Sequence, residues 1–183
     1  LIVLLGLFMQ VNNGNFSEVG SQLILPLFEG NNKPPNNTLS GLGRSQRNHV
    51  KEALSSGEFD GKKGKRMTIW TPGCNIILVG MGSKESLGHK RARNTGARLI
   101  AAMSKKKGVG VTVRFTSGWS ARRMIDFAEG MMLRDYEFLE HQELPKEHIS
   151  EEWSIDFQAS ARYQDSLAEG LFITRSVVGG VHI

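Results

Sequence analysis

Two continuous hydrophobic runs dominate the start of the chain. They lie in residues 1–11 (LIVLLGLFMQV) and 21–30 (SQLILPLFEG). A strand buried on both faces of a sheet has this continuous pattern, whereas a strand with one solvent face alternates. We therefore predict two buried strands, separated by the turn-rich stretch VNNGNFSEVG. Residues 31–41 carry two prolines and four asparagines, which predicts a surface loop.

The next part of the chain has a helix pattern followed by two strand patterns. One helical face is shared by four apolar residues: Leu42, Val50, Ala53 and Leu54. The glycine-containing stretch SSGEFDGKKG ends this helix. The runs RMTIWT (66–71) and NIILVG (75–80) flank the short turn PGC, which predicts a β-hairpin.

Three further helices are predicted from apolar positions that repeat every three to four residues. The first begins at Ser83 and buries Ala92, Gly96, Leu99, Ile100 and Met103. The second runs from Ser117 to about Glu140 and buries Met124, Phe127, Ala128, Met131 and Phe138. The third runs from about Ala159 to Val178 and buries Leu167, Leu171, Phe172 and Val178. Two strands separate these helices, VGVTVRF (109–115) and WSIDF (153–157).

The element order is therefore β β α β β α β α β α, which calls for helices on both faces of a central sheet. We predict an α/β fold, a three-layer α/β/α sandwich whose hairpin makes the sheet mixed rather than purely parallel. Residues 1–157 are expected to form one domain, and residues 158–183 a connector helix and tail. A chain of 183 residues can bury such a core without disulfides.

Composition excludes several classes of protein. Hydrophobic residues make up 39% of the chain and charged residues 22%, as in ordinary globular proteins. Cys74 is the single cysteine, which excludes an internal disulfide framework and a multi-cysteine zinc site. Its apolar neighbours predict a buried structural thiol.

No segment reaches the ~18 apolar residues of a membrane span. The opening run resembles the apolar part of a signal peptide, but we predict a buried first strand.

A mild excess of positive charge raises the question of an acidic partner. The formal net charge is +5, which permits nucleic-acid binding without requiring it. The tight basic clusters, GKKGKR (61–66) and SKKKG (104–108), lie beside glycines and are expected in solvated turns. Binding of nucleic acid by these clusters and Arg122–Arg123 stays open as a weak, non-specific and salt-sensitive alternative.

The stretch NIILVGMGSKESL (75–87) resembles the start of a nucleotide site. A dinucleotide-binding loop needs three glycines, spaced G-x-G-x-x-G. Gly80 and Gly82 satisfy the first pair, but Glu85 replaces the third glycine and would place a negative charge beside the phosphates. We therefore predict a structural strand-to-helix turn that needs glycine for its backbone angles.

Candidate metal ligands and acid–base residues lack a recognised spacing. The histidines are His49, His89, His141, His148 and His182. Two of them share a polar loop with four glutamates, which allows weak metal binding at most: His141, His148, Glu143, Glu147, Glu151 and Glu152. Acidic and basic residues are interspersed on the helix over 117–140, which predicts an ion-paired solvent face: Asp126, Glu129, Asp135, Glu137, Arg122, Arg123 and Arg134. We predict no catalytic, cofactor-binding or metal-binding residue in this chain.

Several segments form an ordered set with moderately specific spacing. They are SQLILPLFEG, LSGLG, VKEALSSGEFDGKKGKRMTIWTPG, NIILVGMGSKESL, the helix from Arg91, AEGMMLRDYEFLEH and YQDSLAEGLFITRSVV. This set resembles the N-terminal domain of the leucyl aminopeptidase (cytosol aminopeptidase) family. The resemblance includes the apolar-Pro-hydrophobic-Phe-Glu run at residues 25–29 and the Val-Gly-hydrophobic-Gly turn at residues 79–82. It departs from the family at residues 179–182, where Gly-Gly-Val-His replaces an Asn-Glu-Pro-Pro turn.

The resemblance implies a macro-domain-like fold and a non-catalytic role. Such a domain would support assembly or oligomerisation of a metallopeptidase whose parent activity releases N-terminal amino acids. Two divalent metals, Zn or Mn, are expected only in the catalytic domain, whose motifs this chain lacks. The implied partners are the protein's own catalytic domain, a homo-oligomer or a larger complex. The implied location is the cytoplasm, with the mitochondrial matrix as the alternative.

Two other functions stay open. The first is a stand-alone structural subunit of a large complex, derived from this domain. The second is nucleotide binding by analogy with macro domains, which bind ADP-ribose. The segment GLGRSQRN (41–48), with Arg44 and Arg47, matches the ligand loops of macro domains poorly, and analogy of fold is a weak guide to function.

Overall fold

A single six-stranded sheet organises the structure, a computed structural model that describes residues 8–12, 19–30, 36–103, 110–140 and 154–180. The strands are β1 (Phe8–Asn12), β2 (Gln22–Leu27), β3 (Arg66–Ile69), β4 (Asn75–Gly80), β5 (Val111–Arg114) and β6 (Ser154–Gln158). The α-helices are α1 (Arg44–Ser55), α2 (His89–Met103), α3 (Ala121–Glu140) and α4 (Ala161–Gly180). A short 3₁₀ helix spans Asn36–Leu39.

The strand order across the sheet is β1-β6-β5-β2-β4-β3. Neighbouring strands are parallel, except that β3 runs antiparallel to β4, with Thr68 opposite Ile77. The predicted hairpin is therefore confirmed, and its edge strand β3 makes the sheet mixed. Strand β2 lies in the centre of the sheet and all six of its residues are buried, as its continuous apolar pattern predicts.

Alternating residues of β2 and β4 belong to two separate hydrophobic cores. One core joins Leu23, Leu25, Leu27, Ile76 and Leu78 to Val50, Ala53 and Leu54 of α1. The other joins Ile24, Ile77 and Val79 to apolar residues of α2, α3 and α4. Because successive side chains of a strand point to opposite faces, α1 covers one face and the other three helices cover the opposite face. The predicted three-layer α/β/α sandwich is confirmed.

Most of the residues predicted to form the buried faces of the helices are confirmed as buried. The five residues predicted for α2 are its buried residues. In α3, Met124, Phe127, Ala128 and Met131 are buried as predicted, whereas the side chain of Phe138 lies outside the described residues. In α4, Leu167 and Leu171 are buried as predicted, and the side chain of Val178 is not described.

One prediction for α4 is wrong, because Phe172 is 72% exposed. The inward face of α4 is formed by Leu167, Leu171 and Thr174, which are all buried. Each helical residue is rotated by about 100° from the one before it, so Phe172 is turned away from the face that Leu171 occupies. Phe172 therefore belongs to the outward surface of the domain.

Two helices begin later than their apolar patterns predict. Helix α2 begins at His89 rather than at Ser83, because the Ser83 Oγ accepts a hydrogen bond from the Ser86 N–H (3.3 Å) and closes a separate turn. Helix α3 begins at Ala121 rather than at Ser117. The Ser120 Oγ accepts a hydrogen bond from the Arg123 N–H (3.4 Å), as an N-cap residue does.

Helices α2 and α3 approach each other closely at two glycines. A Cβ atom added to Gly96 would lie 2.0 Å from the Phe127 carbonyl oxygen. One added to Gly130 would lie 1.9 Å from the Arg93 carbonyl oxygen. No side chain fits at either distance, so each glycine is needed for the close contact of the two helices.

Candidate functional site

The Gly-Met-Gly turn after β4 does not present free amide groups. The Gly80 N–H donates to the Lys65 carbonyl (2.7 Å), and the Met81 N–H donates to the Leu27 carbonyl (2.9 Å). The Gly82 N–H donates to the Gly61 carbonyl (2.8 Å). A phosphate loop holds its ligand with free backbone N–H groups, and here all three are engaged by backbone carbonyls.

The same turn is closed by an arginine side chain. The Arg91 guanidinium donates from Nη2 to the Met81 carbonyl (2.8 Å) and from Nη1 to the Ser86 carbonyl (3.1 Å). Gly82 has a φ of +74°, which favours glycine, and an added Cβ would lie 2.3 Å from Arg91 Nη2. A Cβ at Gly80 would lie 1.9 Å from the Lys62 carbonyl oxygen. The turn is thus a packed junction between β4, the loop at 61–65 and α2.

The sheet has a second place where α/β folds bind ligands, the crevice between the carboxyl ends of β2 and β5. The chain after β2 leads to α1 on one face, and the chain after β5 leads to α3 on the other, which makes this a topological switch point. Trp119 fills this position and is 3% exposed. Its ring centroid lies 5.4 Å from that of Phe28 and 4.9 Å from that of Phe115.

Trp119 also replaces a missing part of the strand ladder. Pro26 has no N–H, and β5 pairs with β2 only from Gln22 to Ile24. The Trp119 Nε1–H donates to the Pro26 carbonyl at 3.2 Å, so the carbonyl beyond the paired region is satisfied. A proline in a buried central strand is tolerated here because an indole covers the unpaired side.

A fully buried arginine lies at the end of the same strand, β5, on the face that α1 covers. Arg114, the last residue of β5, donates from Nε to Gln158 Oε1 (2.8 Å). Its Nη1 donates to the carbonyls of Thr38 (2.9 Å) and Ser40 (2.7 Å). Burial lowers the pKa of Arg114 to about 10, an effect that the nearby charge of Asp156 partly offsets. The guanidinium therefore joins β5, β6 and the segment before α1.

Neither Arg114 nor Trp119 is predicted from the sequence as a residue of this region. Their local signal was a single charged residue at the end of the apolar strand VTVR and a tryptophan in the turn TSGWS. A cation within a buried strand needs fixed partners, so such a position indicates a buried hydrogen-bonded group. The partners of Arg114 lie 44, 76 and 74 positions away in the sequence, and no local pattern reveals them.

A buried carboxylate, that of Asp126, lies between α2 and α3. The prediction that Asp126 lies on an ion-paired solvent face of α3 is therefore wrong. Asp126 is fully buried, with Oδ2 at 2.5 Å from His89 Nδ1 and Oδ1 at 3.3 Å from Arg122 Nε. Helix α2 packs along this flank of α3, where Gly130 follows one turn later. Glu129 likewise pairs with Arg93 of α2, at 2.7 Å. The side chains of Asp135 and Glu137 lie outside the described residues.

Metal-binding chemistry is not supported by this pair. One imidazole and one carboxylate are fewer ligands than zinc or paired divalent metals require. Within the described residues, no group of three or more His, Cys, Asp or Glu side chains could hold a metal ion. His49 is exposed on α1, whereas His141, His148, His182 and the four loop glutamates lie outside the described residues.

The basic cluster at 61–66 is partly neutralised by its own neighbour. Asp60 lies 3.2 Å from Lys62 Nζ and 3.5 Å from Lys65 Nζ. The Lys62 backbone N–H also donates to Asp60, and together with the two ammonium groups it lowers the pKa of this carboxyl. The second basic cluster, 104–108, lies outside the described residues.

The single cysteine is buried, as predicted. Cys74 is a free thiol, and burial raises its pKa. A thiol held in its neutral form is a poor nucleophile and a poor metal ligand. Cys74 therefore belongs to the hydrophobic core between α1 and the sheet.

The family of this chain follows from its match to a known protein-family profile. The profile of the N-terminal domain of the cytosol aminopeptidase family matches residues 24–143. The chain belongs to the cytosol aminopeptidase family. It is also 27% identical over 124 residues to a probable cytosol aminopeptidase from Aquifex aeolicus (strain VF5). This match covers 65% of the chain and 24% of that protein, so the chain spans about a quarter of the curated relative.

Solved structures share the fold of this aminopeptidase N-terminal domain. A point mutant of tomato leucine aminopeptidase superposes with a TM-score of 0.62 at 20% identity, over 94% of this chain and 37% of that one. The bottromycin maturation enzyme BotP superposes with a TM-score of 0.52 at 17% identity, over 86% of this chain and 31% of that one. The predicted resemblance is confirmed. No helix in the described ranges is long and apolar enough to cross a membrane.

Proposed function

We propose that this chain is the non-catalytic N-terminal domain of a leucyl aminopeptidase-like metallopeptidase, and that it supports assembly with a catalytic domain. The filled crevice at the carboxyl edge of the sheet carries this proposal. Trp119 occupies the position between the carboxyl ends of β2 and β5 where an α/β fold would hold a small ligand, and Arg114 at the end of β5 is bonded to the segment before α1. A domain whose ligand crevice is packed by its own side chains is suited to a structural role.

The parent reaction would take place outside this domain. Cleavage of an N-terminal peptide bond by a two-metal site needs several carboxylates that converge on two ions, and we expect Zn or Mn in this role. The described residues provide no such group. The metals, the catalytic residues and the amino-acid specificity would then come from a catalytic domain. We place the assembled enzyme in the cytoplasm, in keeping with the family.

A stand-alone structural subunit is the competing function, and one experiment separates the two. The protein that contains this chain is tagged with an epitope in its own cells, purified, and analysed by intact mass and by leucine amide hydrolysis. Our proposal predicts a polypeptide well above 20.3 kDa whose metal-dependent amidase activity follows the tag. A 20.3 kDa polypeptide held at fixed stoichiometry in a large complex without amidase activity would establish the structural subunit instead.

Weak binding of nucleic acid is disfavoured by the ion pairs of the basic cluster. Two of its lysines already face Asp60, so the local excess of positive charge is smaller than the sequence indicates. Any residual binding would be electrostatic and would fall steeply with salt.

A further inference from the structure

Strand β3 forms one edge of the sheet and has backbone groups that are open to a further strand. It pairs with β4 on one side, and among the described residues no strand lies on its other side. The Gly80 N–H donates to the Lys65 carbonyl (2.7 Å), so these two residues form a hydrogen-bonded pair of the antiparallel ladder. Because such pairs alternate, the backbone of Met67 is bonded to β4, whereas Arg66 and Thr68 direct their N–H and C=O groups outward.

Strand β3 itself has few of the features that protect an edge strand from pairing. Such edges are commonly blunted by a proline, by charged residues along the strand, or by a covering element. Strand β3 (RMTI) contains no proline, and its single charged residue is the first one, Arg66. Within the described ranges, no hydrogen bond occupies the outward N–H or C=O groups of Arg66 and Thr68. This edge can therefore accept another strand through main-chain hydrogen bonds.

The distribution of charge along the hairpin indicates which strand fits this edge. The basic side chains of Lys62, Lys63, Lys65 and Arg66 all lie at the start of β3, whereas residues 67–83 carry no charged side chain. A second copy of the hairpin in antiparallel alignment places its basic end beside the neutral tip of the first copy. Parallel alignment would instead bring the two basic ends together. The hairpin is thus complementary in charge to a second copy of itself in the antiparallel direction.

An antiparallel pair centred on Thr68 uses the outward groups of both copies. Thr68 lies opposite Thr68 of the second copy, and their outward N–H and C=O groups form two reciprocal hydrogen bonds. Arg66 lies opposite Trp70 of the second copy, whose indole is 66% exposed, and the aliphatic part of the arginine covers it. The two Arg66 residues are then about 13 Å apart, which exceeds the Debye length of about 8 Å at physiological salt. This contact is isologous, because the same residues contribute on both sides.

We infer that two copies of this chain pair through β3, antiparallel and centred on Thr68, and join their sheets across a two-fold axis. The pairing extends the strand order β1-β6-β5-β2-β4-β3 into one continuous sheet that contains both copies. This contact goes beyond the proposed function, because it involves no residue of a catalytic domain. It also accounts for the exposure of Trp70, which Arg66 of the second copy covers in this register.

Cysteine crosslinking tests this register in the intact protein. The variants T68C, R66C and R66C/W70C are made in the epitope-tagged protein in its own cells, purified, and oxidised with copper phenanthroline. Opposite residues of a hydrogen-bonded pair have Cα atoms about 5.5 Å apart, within the range of about 4.4–6.8 Å that a disulfide spans. On non-reducing gels we expect covalent dimers from T68C and from R66C/W70C. The matched control is R66C, which adds a thiol to the same strand about 13 Å from its counterpart and is expected to give no dimer above the unsubstituted protein.

Three results would overturn the inference. Dimers from R66C as abundant as those from T68C would show a parallel or shifted pairing. A disulfide from T68C to a different polypeptide would assign the edge to another protein. Absence of dimers from R66C/W70C and T68C, with circular dichroism spectra equal to that of the unsubstituted protein, would show that the edge does not self-pair. If T68C misfolds, R66C/W70C decides the question, because Arg66 and Trp70 are exposed. The proposed function is tested separately, by the catalytic domain that intact mass reveals.

Discussion

One arginine side chain holds together three separate parts of this domain. Arg114 joins β5 to β6 through Gln158, and to the segment before α1 through the carbonyls of Thr38 and Ser40. A buried cation is costly unless each donor finds an acceptor, and these partners offset much of that cost. The resulting network fixes the carboxyl edge of the sheet, where a ligand would otherwise enter.

Replacing Arg114 with methionine is expected to destabilise the domain strongly. The R114M variant keeps similar bulk but leaves three acceptors without their donor, which is expected to cost about 3–5 kcal/mol in the free energy of unfolding. The control is R66M, because Arg66 is exposed on the edge strand β3, and a change within about 0.5 kcal/mol is expected there. Urea titrations measure both differences, and equal effects would contradict the structural role of Arg114.

The pKa of Arg114 also determines how its contribution to the stability of the domain depends on pH. Below the folded-state pKa of about 10, Arg114 is protonated in both the folded and the unfolded chain. Its contribution to the free energy of unfolding therefore does not change with pH in that range. Between about 10 and the higher pKa of an arginine in the unfolded chain, the unfolded chain binds more protons, so the stability contributed by Arg114 rises with pH. We expect the difference between wild type and R114M to be constant from about pH 6.5 to pH 9. A steep slope in that range would show that Arg114 loses its proton earlier.

At the scale of elements, the close contact of α2 and α3 depends on two glycines. The backbones of α2 and α3 come close together at Gly96 and Gly130. This short distance allows ion pairs such as Arg93–Glu129 to form between the two helices. Sequence patterns locate the helices but do not show which of their glycines are contact points. A glycine inside a helix costs stability unless it is needed for packing.

Substituting Gly96 with alanine is expected to separate these helices. The added Cβ would lie 2.0 Å from the Phe127 carbonyl oxygen, so α3 must shift, at an expected cost of about 1–3 kcal/mol or more. Gly88 is the matched control, because an added Cβ there meets no atom within 4 Å. Thermal unfolding compares G96A with G88A, and a gain in stability for G96A would contradict the observed contact.

The sequence predicts elements well where a pattern is local, and poorly where burial depends on a neighbouring helix. The five inward residues of α2 and the β3–β4 hairpin are confirmed because their periodicity is complete within one element. Asp126 is buried because α2 covers its flank of α3, and Phe172 is exposed because it lies off the inward face of α4. Trp119 fills the crevice through contacts with Pro26 and Phe28 at the end of β2 and with Phe115 after β5. These outcomes follow from tertiary packing, which local spacing does not encode.

At the scale of the whole molecule, the chain combines the fold of an aminopeptidase N-terminal domain with a closed ligand crevice. The family match extends over residues 24–143, and the shared fold extends over 94% of the chain. The amides of the Gly-Met-Gly turn are engaged, and Trp119 fills the switch point between β2 and β5. The outward side of α4 carries the exposed apolar side chains of Phe172 and Ile173.

Leucine amide hydrolysis by the purified 183-residue chain, with manganese or zinc added, tests most directly whether this domain is non-catalytic. Two-metal hydrolysis needs several carboxylates around ions ~3.5–4 Å apart, and the described residues bring no such group together. We expect a rate of hydrolysis equal to that of the blank at every metal concentration. Turnover that rises with protein concentration and follows the protein peak through gel filtration would contradict it.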